Sequence, residues 1–407
     1  MADRYDAFVI GAGPVGQVCA GELADGGMRV AIAERELVGG ECSYWACIPS
    51  KTLLRPGEAL QAAREAPGAR EAVTGSLDLA SALEWRNFMT SDWDDSGAVK
   101  WLDDKGIDLL RGEARLDGPG RVRVGDDVFE AERIVVATGS SPVMPPIDGL
   151  RELDGVWTNR EATEFTELPA RLIVLGGGPV GVELAQAFRR FGSEVTLCEG
   201  SSRLLPREPQ PVGEAVGSAL SEEGVVLRLG EHASAAEKGE DGGFVLRFAE
   251  GEDVSGDKLL VATGRHARVD SLGLDSVGIT PGKRGIEVDE RLRAGDGVWA
   301  IGDSTGIMPF THVGKYQARI AARDMLGDSS ARADYRAVPR VVFCDPQVAA
   351  VGEPSGAASG TAQLAGVART STYTREYADR PGFLTLVSDG SKLVGAYAVG
   401  PEAGEWL

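Results

Sequence analysis

Residues 5–34 read YDAFVIGAGPVGQVCAGELADGGMRVAIAE. The apolar stretch from Ala7 to Ile10 has the length and continuity of a strand buried on both faces. It runs straight into Gly11, Gly13 and Gly16; a helical stretch follows, and a second strand from Arg29 to Ala33 closes on Glu34. The pattern returns over residues 171–199, RLIVLGGGPVGVELAQAFRRFGSEVTLCE, with Gly176, Gly178, Gly181 and a terminal Glu199 at the same interval from the first glycine. Shorter apolar runs end in small residues: RIVVATGSSP (133–142) and KLLVATGRHA (258–267) are near copies, and VWAIGDSTG (298–306) is a third. Strands alternating with helices in this way predict an α/β chain with parallel sheets and right-handed crossovers.

A Gly-x-Gly-x-x-Gly turn between strand and helix, with an acid closing the next strand, is an arrangement that holds a dinucleotide. Gly11 permits the tight turn, Gly13 lets the backbone approach a diphosphate, and Gly16 lets helix and strand pack closely. Pro14 falls at the start of the helix, whose free N–H groups and positive dipole end face the phosphates. Glu34 stands where a carboxylate accepts hydrogen bonds from ribose hydroxyls. Gly176, Gly178, Gly181 and Glu199 repeat each part, so two dinucleotide sites are expected. A carboxylate at Glu199 accepts a free 2′-hydroxyl and repels a 2′-phosphate, which favours NAD(H) over NADP(H). Arg203 and Arg207, just downstream, keep NADP(H) open. For the two ATG segments, a plain strand-to-loop turn and a cofactor contact weigh equally. Asp303, beside Gly302 at a strand end, is the better ligand candidate, since a carboxylate there suits hydroxyl recognition.

At 407 residues the chain has room for two or three domains. Its formal net charge of −20 argues against nucleic acid or an anionic membrane as partner. No apolar run approaches the length of a bilayer span, and the start, MADRYDAFVIGAG, lacks the features of a secretory signal, so a cytoplasmic protein is expected. The five cysteines are not a secreted disulfide framework. Cys19, Cys198 and Cys344 sit in apolar contexts and read as small buried hydrophobes.

Cys42 and Cys47, in GGECSYWACIPSKTLLR, are different. In an ideal helix their spacing gives ~7.5 Å of axial rise, and a disulfide tolerates at most about 7 Å between Cα atoms. A bond between them therefore needs a distorted segment, consistent with Gly39 and Gly40 before the pair and Pro49 after it. Pro49 is best placed in the first turn of a helix, which puts Cys47 near an N-terminus, where the dipole favours a thiolate. Lys51 adds positive charge on about the same face. Core cysteines remain an alternative. Metal binding is disfavoured, because His232, His266 and His312 are scattered and no second cluster exists.

Together these motifs resemble the class I pyridine nucleotide–disulfide oxidoreductases: dihydrolipoamide dehydrogenase, glutathione and mycothione reductases, and mercuric reductase. They occur in that family's order over nearly the whole chain: GAGPVG…E, GGECSYWACIPSK, GGGPVGVE, ATGR, AIGD and VPRVVFCDPQVAAVG. The resemblance implies two Rossmann-like domains, for FAD and NAD, followed by a truncated α+β interface (dimerisation) domain. Residues 1–148 and 268–332 would form the FAD domain, 149–267 the NAD(P) domain and 333–407 the interface domain of a homodimer. Cys42 corresponds to the thiol that attacks a disulfide substrate, and Cys47 to the thiol nearer the flavin, which forms its charge-transfer complex. Lys51 matches the lysine near the flavin, Glu183 its ion-pair partner, and Asp303 an aspartate on the flavin ribityl or pyrophosphate region. Thr311 and His312 begin a helix aimed at the flavin. Arg35, Gly40, Ala114, Thr138, Gly139, Gly264, Arg265 and Gly302 are further cofactor contacts that the resemblance implies.

The implied reaction passes electrons between nicotinamide, FAD, the Cys42–Cys47 pair and a small-molecule or protein disulfide or dithiol. Two departures stand out. Tyr44 and Trp45 lie between the cysteines, either narrowing access or offering a stacking surface. The family's acid–base histidine near the C-terminus has no counterpart, since no histidine follows His312. Its loss is expected to slow ordinary disulfide turnover roughly 10²–10⁴-fold and to weaken the dimer. Glu402 and Glu405 read as a solvated helix start. Two rival readings follow: a diaphorase or mercuric-type reductase, though without the C-terminal cysteine pair usual in the latter, and a catalytically weak flavin-binding sensor or scaffold.

Overall fold

The structure is a computed structural model that describes residues 3–328, 330–364 and 382–407. The chain packs as two units, each assembled from three separate stretches of sequence.

The first unit comprises Met1–Ile48, Asn87–Ser141 and Arg265–Tyr335. Its centre is the strand Arg4–Ile10, paired in parallel with Val30–Glu34 on one side and Asp127–Val136 on the other. Asp108–Arg111 and Val298–Ala300 extend the sheet, also in parallel. Because side chains alternate along a strand, the central one feeds two cores. Ala7 and Val9 point to the layer containing Cys19, Leu23 and Ala318, whereas Phe8 and Ile10 point to the layer of Leu116, Val122 and Ile286. With both faces covered, the strand has to be apolar throughout, as YDAFVI nearly is. The helices Pro14–Asp25 and Thr311–Met325 pack against each other on the first of these faces.

The second unit comprises Pro49–Arg86, Pro142–Gly264 and Arg336–Leu407. Its parallel sheet runs in the order Val226–Leu229, Glu194–Glu199, Arg171–Leu175, Lys258–Val261. A three-stranded antiparallel sheet lies in the same unit. The last stretch forms a five-stranded antiparallel sheet, with Gln347–Gly352 and Leu393–Gly400 at its middle. The helix Pro179–Phe191 supplies Val182, Leu184 and Phe188 to a core shared with Leu53, Val342 and Val399. Phe165 and Phe188 pack with ring centroids 4.7 Å apart, tilted by 44°. A largely buried charge cluster ties this helix to two other segments: Arg190 bonds Glu223 at 2.6 Å and Asp345 at 2.8 Å.

The α/β architecture with two Rossmann-like sheets is therefore present, with an α+β remainder at the C-terminal end. Among the described residues, no helix is long and apolar enough to cross a membrane.

Candidate active site

A cleft opens in the first unit at the carboxyl ends of the parallel strands. Gly11 and Gly13 line it, and each glycine of the phosphate loop has a distinct physical task. Gly11 has φ +104°, and a Cβ there would lie 2.5 Å from the Ala137 carbonyl oxygen. A Cβ on Gly16 would sit 1.9 Å from the Gly11 carbonyl oxygen, so no other residue fits between helix and strand. At Gly13 a Cβ would meet nothing within 4 Å, because that position faces the open cleft.

The helix that follows begins at Pro14 with no side-chain cap and no acidic residue in its first turn. Its leading amides are thus left for an anion. Glu34 accepts a hydrogen bond from the Ala12 amide at 2.9 Å and another from the Glu36 amide at 2.9 Å, which fixes the carboxylate at the cleft wall. Uncapped amides for a diphosphate and an oriented carboxylate for ribose hydroxyls fit a dinucleotide such as FAD. Arg35, Gly40, Ala114, Thr138, Gly139, Arg265, Gly302 and Asp303 also line this cleft.

Cys42 lines the same cleft. The segment bends as a five-residue spacing requires. Cys42 lies in a short helix, Gly40–Tyr44, the chain leaves helical geometry at Trp45, and Cys47 opens the helix Cys47–Glu65 with Pro49 in its first turn. Neither thiol is in a disulfide, and both are half-buried. They converge on one group: the Thr311 hydroxyl donates to Cys42 Sγ at 3.3 Å and lies 3.5 Å from Cys47 Sγ. A hydroxyl has a single proton. Given to Cys42, it leaves the oxygen to accept from the Cys47 thiol. On balance the Cys42 pKa is pushed up: the hydrogen bond with Cys47 and burial outweigh the Thr311 hydroxyl and the Lys315 ammonium, which pull it down.

Several cleft residues carried no sequence signal of their own. Ser140 Oγ donates to Asp303 at 2.6 Å and accepts from Arg265 Nε at 2.8 Å. Arg265 also bonds the Ser140 carbonyl at 2.8 Å and the Glu41 carboxylate at 3.2 Å, with Arg268 at 3.9 Å from the other Glu41 oxygen. The segment GRHAR carries both arginines three positions apart, but their carboxylate partner lies 224 residues from the first of them.

The second unit repeats the cradle almost atom for atom. Gly176 would place a Cβ 2.5 Å from the Ala262 carbonyl oxygen, and Gly181 one 1.9 Å from the Gly176 carbonyl oxygen, while Gly178 faces open space. Glu199 accepts from the Gly177 and Ser201 amides, each at 2.7 Å. The helix from Pro179 again lacks a side-chain cap and a first-turn acid. Arg203 is engaged locally, donating to the carbonyls of Pro206 at 3.0 Å and Glu208 at 3.3 Å. Also in this unit, Lys51 Nζ bonds the buried Glu183 at 2.6 Å, and Glu183 accepts from the Phe343 amide at 3.0 Å. The Phe343 ring lies 4.8 Å from the same ammonium.

One sequence reading changes. Tyr44 and Trp45 offer no stacking surface, because both are buried; the Tyr44 hydroxyl donates to the Val38 carbonyl at 3.2 Å and its ring fills the space beside Gly39. Their bulk stiffens the segment from behind. His312 is exposed and stacks on Phe310 at 5.4 Å, and it does not line the cleft. Thr138 and Gly139 of one ATG segment line the cleft, as does Arg265 of the other, whereas Gly264 falls in the second unit. Cys19, Cys198 and Cys344 are buried. Among the described residues, no three of His, Cys, Asp and Glu cluster as a metal site would need.

Comparison with known proteins points the same way. Residues 5–318 match the family model described as pyridine nucleotide-disulphide oxidoreductase. The chain is 33% identical over 417 residues to a mercuric reductase of Lysinibacillus sphaericus, covering 99% of this chain and 76% of that one. It is 35% identical over 416 residues to a dihydrolipoyl dehydrogenase of Thermus scotoductus, covering 99% and 89%. Among solved structures, the HOCl-induced flavoprotein disulfide reductase RclA of Escherichia coli, as its Cu(II) complex, matches with a TM-score of 0.87 at 30% identity, over 99% of this chain and 91% of that one. With paired dinucleotide cradles and two thiols meeting at the wall of one of them, the chain belongs to the pyridine nucleotide-disulphide oxidoreductase family, enzymes that use FAD and NAD(P)H.

Proposed function

We propose that this enzyme reduces a disulfide with NADH as the electron donor and with Cys42 and Cys47 as its dithiol. The observation that carries the reading is the single Thr311 hydroxyl set between the sulfurs of Cys42 and Cys47, with Cys42 at the cleft wall. FAD, held by residues within 1–148 and 268–332, and NADH, held by residues within 149–267, supply the hydride and two-electron chemistry when bound. Gly11, Gly13 and the Pro14 helix hold the flavin nucleotide's diphosphate, and Glu34 its ribose; Gly176, Gly178 and Glu199 do the same for NADH. The oriented Glu199 and the diverted Arg203 support NADH over NADPH, since no cation from Arg203 offsets the carboxylate's repulsion of a 2′-phosphate.

Cys42 gives up its proton and attacks one sulfur of the acceptor disulfide; the acceptor S–S bond breaks, a mixed disulfide forms, and the first sulfur leaves as a thiolate that takes up a proton. Cys47 then loses its proton and attacks Cys42 Sγ, releasing the second thiol and closing a Cys42–Cys47 disulfide. The acceptor gains two electrons, and the pair is returned to the dithiol by two electrons from NADH. Lys51 is paired with Glu183 at 2.6 Å, which fixes the Lys51 side chain.

A second reading makes a soft metal ion the acceptor. It is favoured by the mercuric reductase relatives and the Cu(II) complex of RclA, and by two convergent thiols, which suit such a cation. Anaerobic titration with NADH and then dithionite tests the dithiol directly. Uptake of about four electrons per flavin, with long-wavelength thiolate–flavin absorbance midway, is expected; about two without that absorbance would sink it. NADH oxidation with lipoamide or oxidised glutathione, set against mercuric ion, then separates the two acceptors.

A further inference from the structure

Glu41 immediately precedes Cys42 and lies in the first turn of the same short helix, Gly40–Tyr44. Five residues are far too few to hold helical geometry by themselves, so something outside the segment fixes Cys42. Besides the buried Tyr44 and the hydrogen bond between the two cysteines, two attachments bear on it. One is the Thr311 hydroxyl on Cys42 Sγ. The other is the Glu41 carboxylate, which reaches Arg265 at 3.2 Å and Arg268 at 3.9 Å, with all three side chains a quarter exposed or less.

The arginines are themselves anchored. Arg265 is held by the hydroxyl and carbonyl of Ser140 and, through that hydroxyl, by Asp303; Arg268 Nε donates to Ser141 Oγ at 2.9 Å. They are therefore fixed posts rather than mobile surface charges. Gly40, with φ +58°, brings the segment so near the phosphate loop that a Cβ would lie 3.0 Å from Gly13 Cα. Nothing in the flavin or nicotinamide chemistry proposed above requires an acid at position 41.

We infer that Glu41 is a positioning residue for the redox pair, clipping the Cys42 helix to Arg265 and Arg268 so that Cys42 stays seated on Thr311. This rests on the dithiol reading above. Losing the clip frees Cys42 more than Cys47, because Cys47 opens a separate helix of nineteen residues. A general loosening of the fold would expose both thiols alike. The ratio of their reactivities therefore distinguishes positioning from plain structural support.

The test uses FAD-loaded wild type, Glu41→Ala and Glu41→Gln, reduced anaerobically with NADH and pulsed with iodoacetamide, with each cysteine quantified by peptide mass spectrometry. The Cys42:Cys47 alkylation ratio is expected to rise about 5- to 10-fold in Glu41→Ala, the scale of one lost hydrogen bond. Glu41→Gln should fall between, since its amide oxygen still accepts from Arg265. Thiolate–flavin absorbance should drop in the same order. An unchanged ratio in both variants overturns the inference. Should Glu41→Ala lose its flavin, Glu41→Gln and Arg268→Gln carry the same comparison. If wild type takes up only two electrons, the dithiol reading fails, and the alkylation ratio, repeated after reduction with dithiothreitol, still decides the role of Glu41.

Discussion

The Thr311 hydroxyl tunes the thiols through one proton and two sulfurs. Thr311→Val removes the donor that favours ionised Cys42 while keeping the shape of the side chain. A hydrogen bond to a charged group is worth about 1.5–3 kcal/mol, so the pH profile of Cys42 alkylation should move up by about 1–2 units. Iodoacetamide rates across pH 6–10 read this directly, and an unmoved profile would show that the hydroxyl does not stabilise the thiolate. The buried thiols make a different statement. Burial raises the pKa of Cys19 to about 12, and that of Cys198 likewise to about 12. Unfolded, each ionises near about 8.5. A raised folded pKa means that the unfolded state gives up its proton first as pH rises. The stability these thiols contribute is therefore full below pH ~8.5 and is lost progressively from there towards pH 12. Denaturant unfolding at pH 8, 9 and 10 should show Cys19→Ala with a slope shallower by about 1.4 kcal/mol per pH unit above 9. An equal slope would mean that Cys19 ionises alike in both states.

Each strand–glycine–helix element separates folding from binding at neighbouring glycines. At Gly181 a Cβ would stand 1.9 Å from a backbone oxygen, whereas at Gly178, with φ −76°, it would touch nothing. Gly181→Ala should thus destabilise the second unit by about 3 kcal/mol or more. Gly178→Ala should leave stability within about 0.5 kcal/mol of wild type. Its methyl group occupies the approach path of the diphosphate, so NADH binding should weaken about tenfold or more. Thermal melts paired with NADH titration of both variants check this, and the reverse assignment of effects would refute it. These tasks were readable because strand, turn, helix and acid all fall within one short stretch. Geometry inside the stretch is local, and composition constrains it tightly.

At the scale of the whole molecule, the net charge of −20 opposes an anionic nucleotide in solution. Added salt should therefore speed the bimolecular reaction of NADH with the enzyme, by about two- to fivefold between 0.01 and 0.2 M ionic strength, as the Debye length shrinks from about 30 to below 10 Å. Stopped-flow flavin reduction measures it; slowing by salt would show that a local cationic field outweighs the total. The sequence alone determined what is carried by contiguous pattern: two dinucleotide cradles with their acids, an α/β chain, and a cysteine pair too far apart for an undistorted helix. Tertiary structure decided what depends on residues meeting across the chain. Thr311 reaches Cys47 over a separation of 264 positions, and Glu41 reaches Arg265 over 224. Neither has a periodic or spacing signature. Packing against Gly39 and Val38 likewise turned Tyr44 inward, an outcome that a side chain both aromatic and hydroxylated leaves open until its neighbours are known. Local preference is written into neighbouring residues, whereas a hydrogen bond between distant ones exists only once the sheets have set their ends side by side.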